Sequence, residues 1–346
     1  MAAAVALTQR AAVDRVMGEA GLWAPDLAAR ALAQAEGDVI EAAHLLRATR
    51  STLPRLAWTV ATSADELEVL RRVVPAYQDP PGPQLLGRSA DYSSRLLDPD
   101  TATGTGTGTG GRAARDAPVC DPESPDRRPR RLLGLLRDLD LVVDRRRHDD
   151  PEPVDITTHP VRVGAARSAR LAVMARAETG ALVQLWYRNI LGPDDHLHEV
   201  TLGEVRHGRL PVSVPHPLTG RTVRIGAIRV TEVEAIEDLD GADEDRTRFD
   251  VGYGMCLGHN ERKAIAMANL DIAVERDAGE SSLEQLILHT TDGLDASGFL
   301  EHLKLPHYVT FRSMVERKLA MRALSATSPA EGTKVATTAA REVVGR

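Results

Sequence analysis

Aromatic residues are scarce: Phe, Trp and Tyr together make up 3% of the 346-residue chain. A surface that stacks single-stranded bases is therefore excluded, and the core must be aliphatic. Cysteine is almost absent too. Cys120 and Cys256 stand far apart with no CxxC spacing, which excludes a disulfide framework and a cysteine-rich zinc module and points to a reducing, cytoplasmic setting. No apolar run approaches the ~18 residues of a membrane helix. Met1 to Leu7 lacks the basic start of a signal peptide, and Arg10, Asp14 and Arg15 follow at once. Positive charge is not in excess: 43 Lys and Arg face 50 Asp and Glu, a net charge of -7. Nucleic acid is thus not an expected partner, although a local basic patch could hold a polyanion. GxSxG, HExxH and kinase patterns are missing, and the glycine-spaced segment from Gly252 to Lys263 has neither Walker nor GxGxxG spacing.

The length suggests roughly two domains at ~150 residues each. The expected class is α+β: a helical N-terminal region over 1–100, a low-complexity linker with a short helix over 101–154, an α+β domain over 155–325, and a disordered tail over 326–346. Apolar residues at three-to-four spacing, among them Val13, Val16, Met17, Leu32, Ile40 and Leu46, predict helices from Thr8 to about Arg50. Asp26 and Asp38 stand at N-cap positions. Ser63 with Glu66 reads as a capping box opening a helix over Ala64 to Val74. After Asp79-Pro80-Pro81-Gly82-Pro83 a helix resumes from Gln84 to Leu97. The Thr-Gly run over 101–111 has nothing to bury and reads as a flexible linker; Leu132 to Val143 predicts a short apolar helix. Beyond Asp155 the period changes, and Ala181–Tyr187, Leu210–Val214 and Thr222–Ile225 read as strands. Asp238 to Asp245 is an acidic loop, and Asn260–Val274 and Ser281–His289 return to helix.

Two segments carry chemistry. Gly252-Tyr253-Gly254-Met255-Cys256-Leu257-Gly258-His259-Asn260 runs into a helix beginning Glu261-Arg262-Lys263. Free N–H groups, the positive dipole end and two cations would suit a phosphate there; the alternative is an ordinary strand-turn-helix in which Asn260 only caps. The second is His302-Leu303-Lys304-Leu305-Pro306-His307-Tyr308, where Pro306 interrupts the helix and lets the two imidazoles converge. They suit zinc as half a ligand set, or they are loop histidines bonded to backbone. His196 and His198 alternate as a strand pair would, but lie among acids as a hairpin loop does. Asp91 and Arg95 have the spacing of a surface ion pair.

Several stretches together, among them Gly37-Asp38-Val39-Ile40-Glu41-Ala42, Gln84-Leu85-Leu86-Gly87, Asp91-Tyr92, Arg95-Leu96-Leu97-Asp98, Glu261-Arg262-Lys263-Ala264-Ile265-Ala266 and His302-Leu303-Lys304-Leu305-Pro306-His307, resemble the PhnI family. The resemblance covers roughly residues 11–98 and 155–312, in order. That family is a subunit of the bacterial carbon-phosphorus lyase core complex. The resemblance implies a nucleosidase-like transferase that installs methylphosphonate at C1 of the ribose of ATP. Adenine is released and alpha-D-ribose 1-methylphosphonate 5-triphosphate is formed. It implies PhnG, PhnH and PhnL as partners for this step, PhnJ as the iron-sulfur radical subunit of the same core, and a zinc site at the positions of His302 and His307. The Thr-Gly run departs from the family and reads as a tolerated insertion. The family's leading Lys-Gly-Gly segment has no counterpart in the opening Met1-Ala2-Ala3-Ala4, which leaves the role of that segment open.

Breaking an N-glycosidic bond builds positive charge on the sugar, so a carboxylate near C1 and a proton donor near the base lower the barrier. Asp91 and Glu261 are the candidate catalytic carboxylates. Asn260, Arg262 and Lys263, then Arg88 and Arg95, are the candidate cradle for the triphosphate. The competing reading is a non-catalytic scaffold that docks PhnJ and PhnG. A third, an unrelated metal-dependent hydrolase on His196, His198, His302 and His307, lacks a compact metal motif.

Overall fold

The computed structural model describes residues 5–6, 8–86, 128–143, 152–190, 200–238, 247–276 and 282–327. Two compact units are formed, 1–296 and 297–346. The larger begins with three helices, α1 (Arg10–Ala20), α2 (Pro25–Gln34) and α3 (Val39–Ser51). Their shared core is Val13, Val16, Met17, Leu32 and Leu46 with Ala20, Ala28, Ala29 and Ala42, and the alanines let the helix axes approach closely. Asp38 caps α3 as its position suggests, accepting from Ile40 N at 2.8 Å and Glu41 N at 3.1 Å. Asp26 instead falls inside the first turn of α2, because Pro25 takes the opening position and Ala24 the cap.

The expected helix over 64–74 is a strand. Ser63 does cap, accepting from Asp65 N at 3.1 Å, but only a 3₁₀ turn over Ala64–Glu66 follows, and β1 (Glu68–Val73) begins at once. Leu67, Leu70 and Val74 fit a helical period as well as Leu67 and Val69 fit a strand. Pairing decides the matter: β1 finds an antiparallel partner in β2 (Val200–Pro215), with a bulge between Val69 and Arg71. Of the helix expected over 84–97, Leu85 is bridged to Arg72 in both directions at 2.7 and 2.9 Å; residues from 87 onward lie outside those described, as does the Thr-Gly run.

Helix α4 (Leu132–Asp138) forms where an apolar helix is expected, and α5 (Arg167–Arg176) follows. Ala181 to Tyr187 is not a strand but part of α6 (Thr179–Ile190). Glu178 accepts from Gly180 N at 2.9 Å and Ala181 N at 2.6 Å, and this capping starts a helix with Leu182 buried and Leu185 and Trp186 against the same core. β2, β3 (Thr222–Asp238) and β4 (Phe249–Leu257) complete an antiparallel sheet in the order β1-β2-β3-β4. The expected strands at 210–214 and 222–225 are the outer ends of a much longer β2–β3 hairpin. Its turn closes through His216 N to Arg221 O at 2.8 Å.

α7 (Glu261–Arg276) lies on one face of the sheet, where Val205, Val233, Ala235 and Cys256 meet Ala264, Met267, Ala268 and Leu270. The glycines of β4 are there for this contact: a Cβ on Gly252 would collide with the carbonyl oxygen of Ala268, and one on Gly254 with that of Ala264. α8 (Ser282–Thr290) adds Leu283 and Ile287 to the same core. α9 (Gly293–His302) ends the larger unit and opens the smaller one, which continues as α10 (Tyr308–Thr327). Phe311, Met314, Val315 and Leu319 of α10 are exposed. Among the described residues no helix is long and apolar enough to cross a membrane.

Candidate functional site

Adjacent strands place one polar cluster on the α7 face. Gly258 turns the chain from β4 to α7 with φ +75°, packed so closely on Asp14 that a Cβ would lie 2.8 Å from its Cβ. Thr231 Oγ1 donates to Gly258 O at 2.7 Å and accepts from Asn260 N at 3.1 Å. Its one proton is thereby used, so His207 Nδ1, 3.2 Å away, is the donor of that pair. The His207 ring stacks on His259, centroids 4.4 Å apart and planes 14° from parallel. His259 Nε2 lies 3.2 Å from Glu261 Oε1, and Arg71 Nε reaches the same oxygen at 2.5 Å.

Charge follows from these contacts. Burial, then the neighbouring His259 and Arg229 charges, hold His207 neutral, with its pKa lowered to about 2. Burial alone would raise the Glu261 carboxyl, but hydrogen bonds from His259 and Arg71 outweigh it and bring the pKa to about 2. Glu261 is therefore a fixed anion beside an imidazole and a guanidinium. Such a group can stabilise developing positive charge, and His259 is the adjoining group able to move a proton.

The three residues expected to cradle a phosphate do not converge. Asn260 Nδ2 donates to Leu257 O at 2.6 Å and Asp14 O at 2.9 Å, anchoring α7 on α1. Arg262 points to solvent. Lys263 is fully buried, its Nζ without a hydrogen-bond partner among the described residues, and desolvation lowers its pKa to about 8. Asp91, Arg88 and Arg95 lie outside the described residues, as do His196 and His198. The chain leading towards the first three is held at the cluster, since Arg71 also donates to Leu86 O.

In the smaller unit, His302 and His307 come together at the α9–α10 break, ring centroids 5.2 Å apart and planes 88° to each other. Both are exposed, and His307 Nδ1 is 2.5 Å from Leu305 O, which leaves Nε2 as the ligating atom. Among the described residues no third His, Cys, Asp or Glu completes a metal set. Two imidazoles so placed could supply two of the four ligands that a zinc ion takes.

The opposite face of the sheet is charged. Arg72 is fully buried and donates from Nε to Glu204 at 2.7 Å. Arg206 Nε binds Glu232 at 2.9 Å. Arg131, from the residue before α4, reaches Glu232 at 2.9 Å and also pairs with Glu234, and Tyr253 donates to Glu232 at 2.9 Å. A cavity of about 570 Å³ opens between this face and α4. Local spacing could not reveal either constellation, because Arg71, His207, Thr231 and Glu261 arrive on four different elements. For Arg131 the one signal was its place in the arginine-rich stretch before α4.

This architecture defines an α+β protein whose antiparallel sheet carries a histidine-carboxylate-arginine cluster on one face and an ion-paired, cavity-bearing surface on the other. The chain belongs to the PhnI family of bacterial phosphonate metabolism proteins, whose sequence profile matches residues 2–325. It is 41% identical over 318 residues to a putative C-P lyase subunit protein, HtxH, of Stutzerimonas stutzeri, covering 89% of this chain and 83% of that one. The alpha-D-ribose 1-methylphosphonate 5-triphosphate synthase subunit PhnI of Rhizobium meliloti is 36% identical over 318 residues, covering 90% and 83%. The subunit of the same name from Escherichia coli is 35% identical over 311 residues, covering 88% and 84%.

Proposed function

We propose that the protein acts in phosphonate catabolism as a ribosyl-transferring subunit that displaces adenine from ATP with methylphosphonate, giving alpha-D-ribose 1-methylphosphonate 5-triphosphate. The observation that carries this reading is the 35–36% identity, over nearly nine-tenths of the chain, to two subunits named for the synthesis of that product. In the reaction a phosphonate oxygen forms the bond to C1 while the C1–N9 bond breaks, and the departing purine takes up a proton. In this reading Glu261, ionised and held by Arg71, offsets charge on the sugar, and His259 beside it handles the proton. Asp91 is the second carboxylate of the proposal, with Arg88 and Arg95 as cations on the same segment. PhnG, PhnH, PhnJ and PhnL are the proposed partners. His302 and His307 would supply two ligands to a zinc ion completed by a partner chain; zinc there would fix the join and act as a Lewis acid.

The test is to assemble the chain with those partners, add ATP and methylphosphonate, and follow adenine by chromatography. Adenine release that falls at least about 100-fold in Glu261→Gln with unchanged complex assembly supports the reading. An assembled complex that releases no adenine establishes the scaffold instead.

A further inference from the structure

The β2–β3 hairpin outruns its neighbours. β1 pairs with β2 only as far as Glu68↔Arg209, and β4 meets β3 only from Val230 onward, so the six pairs from Leu210↔Ile228 to Pro215↔Thr222 stand beyond both. At roughly 3.3 Å per residue this arm is about 20 Å long. Its two edges differ. Ser213 O accepts from Val60 N at 2.9 Å, which places Pro211, Ser213 and Pro215 at the outward positions of β2, since the backbone groups of alternate residues face the same edge. The two prolines have no N–H to offer and the serine carbonyl is already used, so the β2 edge is closed to another strand.

On β3, Arg229 O accepts from Gly258 N at 2.9 Å, so Arg229 faces outward, and Ala227, opposite Pro211, faces the same way. Beyond a bulge at Ile225, Arg224 and Thr222 lie opposite Ser213 and Pro215 and face outward too. Thr222, Arg224 and Ala227 keep both N–H and C=O, and among the described residues no backbone group pairs with them from outside the hairpin. Such a row is a template for one more strand. Beside it Val223 and Ile225 offer apolar side chains 40% and 62% exposed. Charge selects the occupant. Between Glu204 and Glu232 lie five arginines and no Asp or Glu. Arg221 and Arg224 are exposed, and among the described residues no carboxylate pairs with either. A second copy laid antiparallel along this edge would bring the same arginines together without a counter-charge, whereas a segment carrying Asp or Glu would neutralise them. We propose that an extended, acidic segment of a partner protein adds as a strand to the outer edge of β3 over residues 222–227.

The proposed function enters only in the choice of partners to test, PhnG, PhnH, PhnJ and PhnL. The full chain, alone and assembled with them, is exchanged in deuterated buffer, and the amides of Thr222, Arg224 and Ala227 are followed by mass spectrometry with fragmentation. Ala227→Pro removes one outward N–H at a position where an edge strand accepts proline. Ala227→Ser keeps that N–H, and Arg221→Glu with Arg224→Glu reverses the charge. The affinity of each variant for the partners is measured by calorimetry at low and high salt, with circular dichroism verifying its fold.

Amides that exchange freely in the chain alone and at least about 10-fold more slowly in the complex support the docking edge, provided that Ala227→Pro and the arginine reversal, but not Ala227→Ser, lower a salt-sensitive affinity about 10-fold or more. Protection already present in the chain alone, whether from a second copy or from its own acidic stretch over 240–245, overturns it. So does exchange as fast in the mixture as in the chain alone, or an affinity that either Ala227→Pro or the arginine reversal, once folded, leaves unchanged. Exchange and affinity are read without turnover, so a protected edge in a complex releasing no adenine leaves this surface standing while the proposed reaction fails. A complex that releases adenine with the edge unprotected does the reverse.

Discussion

His207 shows how much a single side chain depends on its surroundings. The folded protein keeps it neutral to about pH 2, while the unfolded chain takes up a proton near 6.5. A depressed pKa of this kind contributes stability that is complete above about pH 6.5 and is lost progressively as the pH falls towards 2. The expected outcome is a stability that drops below pH 6.5 by up to about 1.4 kcal/mol per pH unit from this group. His207→Phe keeps a ring over His259 and titrates nothing, so its denaturation curves between pH 4.5 and 7.5 should be flatter by that amount. Parallel slopes for the two proteins would show that His207 is not the buried neutral base described here.

At the level of elements, the β4–α7 unit is built on close approach of backbone to backbone. Gly252 and Gly254 alternate along β4 on the face that meets Ala264 and Ala268, where any side chain would strike a carbonyl oxygen. The helix N-terminus, and with it Glu261 and His259, is set by that contact. Gly252→Ala is expected to destabilise the fold by about 3 kcal/mol or more, read as a lower urea midpoint with an unchanged m-value. A neutral effect would mean that the helix does not lie this close to the strand. The glycine pattern visible in the sequence thus has a packing cause, whether or not an anion is later bound nearby.

At the scale of the whole molecule, the two units present their functional groups differently. The larger holds its clusters on a sheet covered on both faces. The smaller exposes both histidines at a helix break and apolar side chains along α10. If a partner chain completes a zinc site there, the assembled complex purified without chelator should carry zinc that His302→Ala with His307→Ala removes. The helicity of the chain should be unchanged, since both residues flank the break and lie on the surface. Full zinc content in that double variant, measured by atomic absorption, would place the metal elsewhere.

What the sequence determined by itself was what repeats locally or lies within a few residues: the three opening helices, the cap at Asp38, the apolar helix at Leu132, the helix after Asn260, the paired histidines about Pro306, and the family. These depend on periodicity, capping and short motifs, which a linear pattern records. Tertiary structure decided whether 68–73 became a strand, because its ladder of hydrogen bonds is completed by the distant β2, and whether Glu178 would start a helix through residues that also suit a strand. It also separated Asn260, Arg262 and Lys263, neighbours in the chain that one helical turn sends to an anchor, to solvent and to the interior. The Arg71–Glu261–His259 cluster and the ion pairs of the charged face join residues distant in sequence, and contacts of that range exist only once the sheet has closed.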